Sequence, residues 1–315
     1  MHEHEVFRRS HLIDPELHVW GWEVPVYLFL GGLAAGVMVL SALLLLRTKR
    51  DEASRWLRWL PFAAPVAISL GMGALFLDLE HKAYVWRFYL ALKPLSPMSW
   101  GSWILVAIYP ASLLLGLAML TDDETAWLAK LRPVAALRLG SALKRVRGWS
   151  AERLEWLAWT NVAAGVGLGA YTGLLLGTLA ARPAWNSVML APLFLVSGVS
   201  TGAALMMMFP LRSEEHHFLR RWDVGAIVLE LCLLALFLLS LLSGGDEGRE
   251  AAALFIGGPY TGAFWTLVVF GGLAVPLAME LFESRRKLKP TIMAPALILV
   301  GGLTLRWVLV LAGQA

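Results

Sequence analysis

One cysteine, Cys232, serves the whole 315-residue chain. A disulfide within one chain is therefore excluded, and so is a cysteine-ligated iron–sulfur cluster or zinc site. Charge is scarce as well, at 16% Asp, Glu, Lys and Arg against 58% apolar residues, with a mean hydropathy of +0.65. A soluble domain does not have that balance. The seven histidines (His2, His4, His11, His18, His81, His216 and His217) all avoid the middles of apolar runs. Axial histidine ligands for a haem buried in a bundle are thus missing.

What the sequence has in quantity is long apolar runs. Eight stretches of about twenty residues or more lie near 24–46, 59–77, 101–120, 155–180, 187–209, 224–243, 262–282 and 291–313. Each is long enough to cross a hydrocarbon core as a helix. The period-two alternation of a membrane barrel is absent, so the spans are expected to be α-helical. The expectation is an all-α integral membrane protein of eight transmembrane helices. Residues 1–18 are polar and carry no cleavable signal, so the first span is expected to direct its own insertion.

Loop charge orients the helices. The loops after spans one, three, five and seven carry nineteen Lys and Arg residues, and the N-terminal segment with the other loops carries seven. The positive-inside rule places the first set in the cytoplasm and both termini outside. The pI near 9.3 then reflects topology rather than affinity for nucleic acid. Residues 1–22 read as an extracytoplasmic N-terminal segment. Two G-x-x-x-G motifs, Gly32–Gly36 in span one and Gly198–Gly202 in span five, each follow a Pro and a Phe. They suggest a duplicated four-helix unit, giving bundles at 23–180 (outer loop 78–100, cytoplasmic loop 121–153) and 181–315. Taken alone, each motif indicates close helix packing.

The polar residues inside the spans sort by depth. Glu23 and Tyr27 begin span one four residues apart, on one helical face, and Asp78 ends span two. Tyr171 lies in the outer part of span four, Asn186 and Ser187 open span five, and Arg306 lies in the outer part of span eight. The inner half offers Glu230 and Glu280. Each has an ordinary reading: Tyr27 as an interfacial belt residue, Asn186 as a helix N-cap, Arg306 as a cation that snorkels or pairs with Glu23 or Asp78, and the two glutamates as buried packing partners. Their concentration at one depth points instead to an amphipathic ligand entering from lipid. A quinone matches, because its ring oxygens need hydrogen-bond donors and a proton acceptor while its tail stays in the bilayer. Glu23 would be the acid/base, Tyr171 its catalytic companion, and Glu230 and Glu280 a proton path. With no metal site and no redox centre of its own, the protein would pass electrons to another subunit. The expected direction is oxidation of a quinol; the same fold working as a quinone reductase, a secondary transporter and a purely structural anchor are the alternatives.

The strings YLFLGGLAAG (27–36), LSPMSWGSW (95–103), YTGLLLG (171–177), PLFLVSGVSTGAAL (192–205) and LRWVLVLAGQ (305–314), in that order, make the chain resemble the NrfD-like family of polysulfide reductase membrane subunits. The resemblance implies a haem-free anchor in the cytoplasmic membrane with menaquinone or ubiquinone as its substrate. It implies a partner outside: a ferredoxin-like four-cluster iron–sulfur subunit, which serves a molybdopterin or cytochrome catalytic subunit. It also implies a quinone held near the outer face by first-span polar residues and by the tyrosine that matches Tyr171. Polysulfide reductase has Asn and His in span one where this chain has Glu23 and Tyr27. Tyr27, Asn186, Asp78, Arg306 and His81 are the expected quinone contacts, with Arg87 as a further candidate in an outer loop suited to a partner surface.

Overall fold

A computed structural model describes residues 20–48, 52–79, 81–90, 93, 96–136, 138–178, 182–286 and 290–315. Residues 1–19 of the expected N-terminal segment lie outside the described residues. Within them the chain is helical, and no strand occurs. The helices are α1 (Glu23–Arg47), α2 (Arg55–Trp59), α3 (Ala63–Asp78), α4 (Arg87–Leu90), α5 (Pro97–Met119), α6 (Asp122–Ala129), α7 (Arg132–Ala136), α8 (Gly140–Glu152), α9 (Leu154–Gly177), α10 (Leu190–Met207), α11 (Ser213–Leu242), α12 (Gly245–Ile256), α13 (Val275–Arg286) and α14 (Met293–Ala312). A π-helical segment, Ala263–Ala274, runs directly into α13.

Seven helices among the described residues are long and apolar enough to cross a membrane. The fourth expected span, α9, is not one of the seven, although it has 24 residues. Its glycines, Asn161 and threonines dilute its hydropathy; one face is buried and its small residues let neighbours approach, while Trp156, Trp159, Val166 and Leu174 on the other are exposed.

That approach is what organises the fold. Helix α1 is buried along most of its length and packs against α3, α9, α10 and α14. Its G-x-x-x-G motif meets the one on α10 face to face. A methyl built on Gly36 would fall 2.0 Å from the Gly198 carbonyl oxygen, one on Gly198 2.6 Å from the Gly32 carbonyl oxygen, and one on Gly202 2.5 Å from the Gly36 carbonyl carbon. The two backbones touch with no side chain between them. Gly165 of α9 sits in the same way on α1, and Gly173 of α9 on Leu190 of α10. Close packing, the plain reading of these motifs, is what they do.

Two apolar cores flank this crossing. One draws mainly on α1, α3, α5 and α9, and the other on α10, α11, the π segment and α14. Polar side chains inside the first core tie helices together. Asn161 of α9, fully buried, donates 2.9 Å to the carbonyl of Ala111 beside Pro110, where α5 lacks a backbone N–H.

The ends of the described chain are also tied. The Trp20 backbone N–H donates to the Gln314 amide oxygen at 2.8 Å, and the Gln314 amide nitrogen donates to the Trp20 carbonyl at 3.1 Å. Trp20 stacks on Trp185, whose indole N–H donates 2.8 Å to the Leu309 carbonyl. At the opposite end, Thr121 and Glu124 form a reciprocal cap on α6. Glu124 also accepts two bonds from Arg58, at 3.0 and 2.9 Å. Burial alone would raise this carboxyl, but the Arg58 and Thr121 bonds hold it at about 2, below its ordinary 4.5.

Candidate functional site

The first polar group lies at the start of α1. Glu23 is the first helical residue and is half-buried, and Tyr27, one turn on, is buried. Tyr27 lies within electrostatic range of Tyr171 on α9 and Tyr89 on α4. Tyr171, itself buried, ends against Gly101 of α5, where a methyl would fall 2.1 Å from its hydroxyl oxygen. The glycine in the string PMSWGSW therefore makes room for a phenol. Gly71 of α3 lies against α1, where a methyl would fall 3.3 Å from Leu30 Cβ and in ordinary contact with the Tyr27 ring at 3.5 Å. Two phenols from different helices thus come together, with Glu23 one helical turn before Tyr27; phenols can donate hydrogen bonds to a carbonyl, and a carboxylate can accept a proton from a hydroxyl.

A second polar group runs through the other half of the molecule. Arg306 on α14 is fully buried beside Gly32, where a methyl would fall 2.8 Å from its guanidinium. It donates 2.7 Å to the Ser197 hydroxyl, 2.9 Å to the Gly302 carbonyl and 3.4 Å to the Phe194 carbonyl. Ser197 in turn bonds to Glu230 of α11, and Glu230 is the carboxylate that faces Arg306. Two helical turns away on the same face of α11, about 10 Å along its axis, Asp223 accepts 2.7 Å from the Ser200 hydroxyl and lies against Glu280 of α13. Asp223 Oδ2 and Glu280 Oε2 are buried with no hydrogen-bond partner among the described residues. Beyond Glu280 stand Arg220, His216 and Glu283, the last accepting two bonds from Thr291.

The comparison with known families bears on residues 12–315, which match the family model described as polysulphide reductase, NrfD. The chain belongs to the NrfD family. It is 34% identical to protein NrfD of Escherichia coli over 94% of this chain and 95% of that one. It is 31% identical to the C chain of polysulfide reductase from Wolinella succinogenes, over 94% of each. The C subunit of tetrathionate reductase from Salmonella typhimurium is 29% identical over 67% of this chain and 55% of its own length. Membership in a membrane-protein family agrees with the apolar helices, and this chain is a multi-pass membrane protein.

Of the residues singled out by sequence, the structure brings together Tyr27 and Tyr171, with Glu23 one turn from Tyr27. It does not bring the others to them. Asn186 is exposed in the turn between α9 and α10, where its backbone N–H donates to the Arg182 carbonyl. Asp78 is exposed at the end of α3. His81 is exposed beside Tyr84, on which Arg87 lies with its guanidinium carbon 4.4 Å from the ring centre. Arg306 turns to Ser197 and Glu230, not to the outer carboxylates Glu23 and Asp78 with which sequence paired it. Glu230 and Glu280 are both buried and belong to the second group.

Sequence reasoning missed Asp223, Ser197, Ser200 and Tyr89. Asp223 falls at the edge of an apolar run, where a carboxylate reads as a loop residue. The seven-residue spacing of Asp223 and Glu230 places them on one helical face, and the spacing of Ser197 and Ser200 does the same on α10. Those intervals were readable. Tyr89 gave no signal, because only the return of the outer loop onto α1 makes it a neighbour.

Proposed function

We propose that this protein is the quinol-oxidising anchor of a respiratory reductase complex, taking electrons from menaquinol and handing them to an iron–sulfur subunit on the extracytoplasmic side. The observation that carries the reading is the meeting of Tyr27 and Tyr171, with Glu23 one helical turn before Tyr27, in a chain with no cysteine cluster and no mid-span histidine. Family relatives named as parts of polysulfide and tetrathionate reductases support a place in such a complex. The catalytic partner would carry molybdopterin or a cytochrome.

Quinol, when bound, supplies two electrons and two protons. Tyr171 would hold one ring oxygen by hydrogen bonding, and Glu23 would accept the two protons in turn, passing the first to the nearby outer surface before it takes the second. Tyr27, at the same level, would exclude water and fix the ring. The Arg87 and Tyr84 loop would lie beneath the iron–sulfur partner.

The topology in this reading has eight spans in two bundles, with both termini outside. The Trp20–Gln314 bonds support it, because ends that meet on one side require an even number of crossings between them, which makes α9 the eighth. The line from Arg306 through Ser197, Glu230, Asp223 and Glu280 to Arg220 and His216 would be a proton path reaching the cytoplasmic side. Gly32, which its outer end touches, is five residues from Tyr27, or about 7.5 Å along α1.

The test is oxidation of a short-chain menaquinol by the purified complex. Tyr171→Phe is expected to slow it about tenfold and Glu23→Gln about a hundredfold, with folding unchanged. Wild-type rates in both variants would remove quinone chemistry from this site. In proteoliposomes, Asp223→Asn is expected to lower proton translocation per electron while leaving quinol oxidation in detergent intact.

A further inference from the structure

A cavity of about 670 Å³ opens at the opposite end of α1 from the phenols, between its last turn and the first turns of α11. Neither polar group uses it. The two faces of α11 divide there: His216, Arg220 and Asp223 look toward α13, whereas Glu214, His217, Phe218 and Arg221 follow the i, i+3, i+4, i+7 pattern of a single face lining the cavity.

Three guanidiniums border this space, Arg47 from α1 and Arg212 and Arg221 from the start of α11. Among the described residues, none of the three takes part in a salt bridge. Arg47 rests with its guanidinium carbon 5.3 Å from the centre of the Phe218 ring, and Arg212 donates to the Glu52 carbonyl. The carboxylates at the cavity are Glu52, Glu214 and Glu215. Glu215 is buried and committed to backbone, accepting from Ser54 N–H at 2.8 Å and Arg212 N–H at 2.9 Å. Three acids therefore stand against three arginines, His217 and the positive end of a 30-residue helix, and both oxygens of Glu215 are taken up by backbone N–H groups. Leu44, Phe218 and Trp222 complete the lining, and Trp222 is 42% exposed on the helix surface.

We infer that this cavity binds an anionic phospholipid from the leaflet at the charge-rich end of the bundle, its phosphate among Arg47, Arg212 and Arg221 and its acyl chains along Leu44, Phe218 and Trp222. Basic clefts between membrane helices at this level suit such head groups. A free phosphate would satisfy the arginines but leave the aromatic wall without a partner. The inference is independent of the quinone reading, since none of its residues belongs to the phenol group.

The experiment is native mass spectrometry of the full chain, with any subunits that co-purify, delipidated and titrated with phosphatidylglycerol, phosphatidylcholine or inorganic phosphate. Phosphatidylglycerol adducts are expected to be retained. Affinity should weaken about fivefold in Arg47→Gln or Arg221→Gln and about 25-fold in the double variant. Arg145→Gln, exposed on α8 away from the cavity, should leave it unchanged. The charge-keeping double variant Arg47→Lys with Arg221→Lys should bind far better than the double glutamine variant. Equal binding of phosphatidylcholine, wild-type affinity in both single glutamine variants, or displacement of the lipid by an equal concentration of inorganic phosphate would each overturn the assignment.

Discussion

Arg306 shows what a single buried charge demands. Removing a guanidinium from water is costly, and in this position the cost is offset by hydrogen bonds to Ser197, Gly302 and Phe194 and by the facing Glu230. Its Nε has no partner among the described residues. Arg306→Met would leave Glu230 facing an apolar surface, and is expected to destabilise the protein by about 3–5 kcal/mol. Adding Glu230→Gln should recover much of that loss, because the carboxylate is then no longer stranded. Denaturant titration in detergent, read by tryptophan fluorescence, measures both. Additive losses in the double variant would mean that the two residues are not coupled. The depth of Arg306 was legible in the sequence, and so was its need for a partner. Which partner it takes was not, because pairing depends on how α14 rotates against α10, and an apolar run carries little information about rotation when all its faces are buried.

At the scale of the helix, the glycines separate into two kinds. Gly36 and Gly198 are places where a backbone carbonyl occupies the space of a side chain, whereas a methyl placed on Gly167 of α9 would meet nothing within 4 Å. Gly36→Ala must push α1 and α10 apart and is expected to cost about 1–3 kcal/mol. Gly167→Ala should be neutral or stabilising by up to about 1 kcal/mol, through helix propensity alone. Parallel unfolding measurements on the two variants decide the matter, and similar effects would show that the crossing is looser than described. The motif's spacing was plain in the sequence, and its packing role followed from it. The neighbours that Gly101 and Gly71 accommodate were not readable, since single glycines give no direction, and the contacts come from helices far away in the chain.

For the whole molecule, the sequence conveyed the class of fold through the length of its apolar runs, and the family through its ordered motifs. It was weaker on the site. Asn186, Asp78 and His81 were grouped with the phenols by expected depth alone and are exposed, whereas the phenols are buried; depth is one coordinate and a site needs three. The Trp20–Gln314 tie predicts that both ends of the chain share one side. Fusing alkaline phosphatase to the C-terminus is expected to give an active reporter, and fusing green fluorescent protein there a dark one. The reverse pattern would exclude the outward placement of the C-terminus. A reporter inserted at Gly148 in α8, on the other side, should behave oppositely.

The bare contact of α1 with α10 has one more implication. A carrier that admits a solute alternately from each side must let its halves part, and parting needs an interface whose side chains can re-form elsewhere. Where main chain lies directly on main chain there is nothing to rearrange, so the crossing acts as a weld. Under the proposed function that suffices, since a hopping proton or an electron leaving at the rim would need no opening.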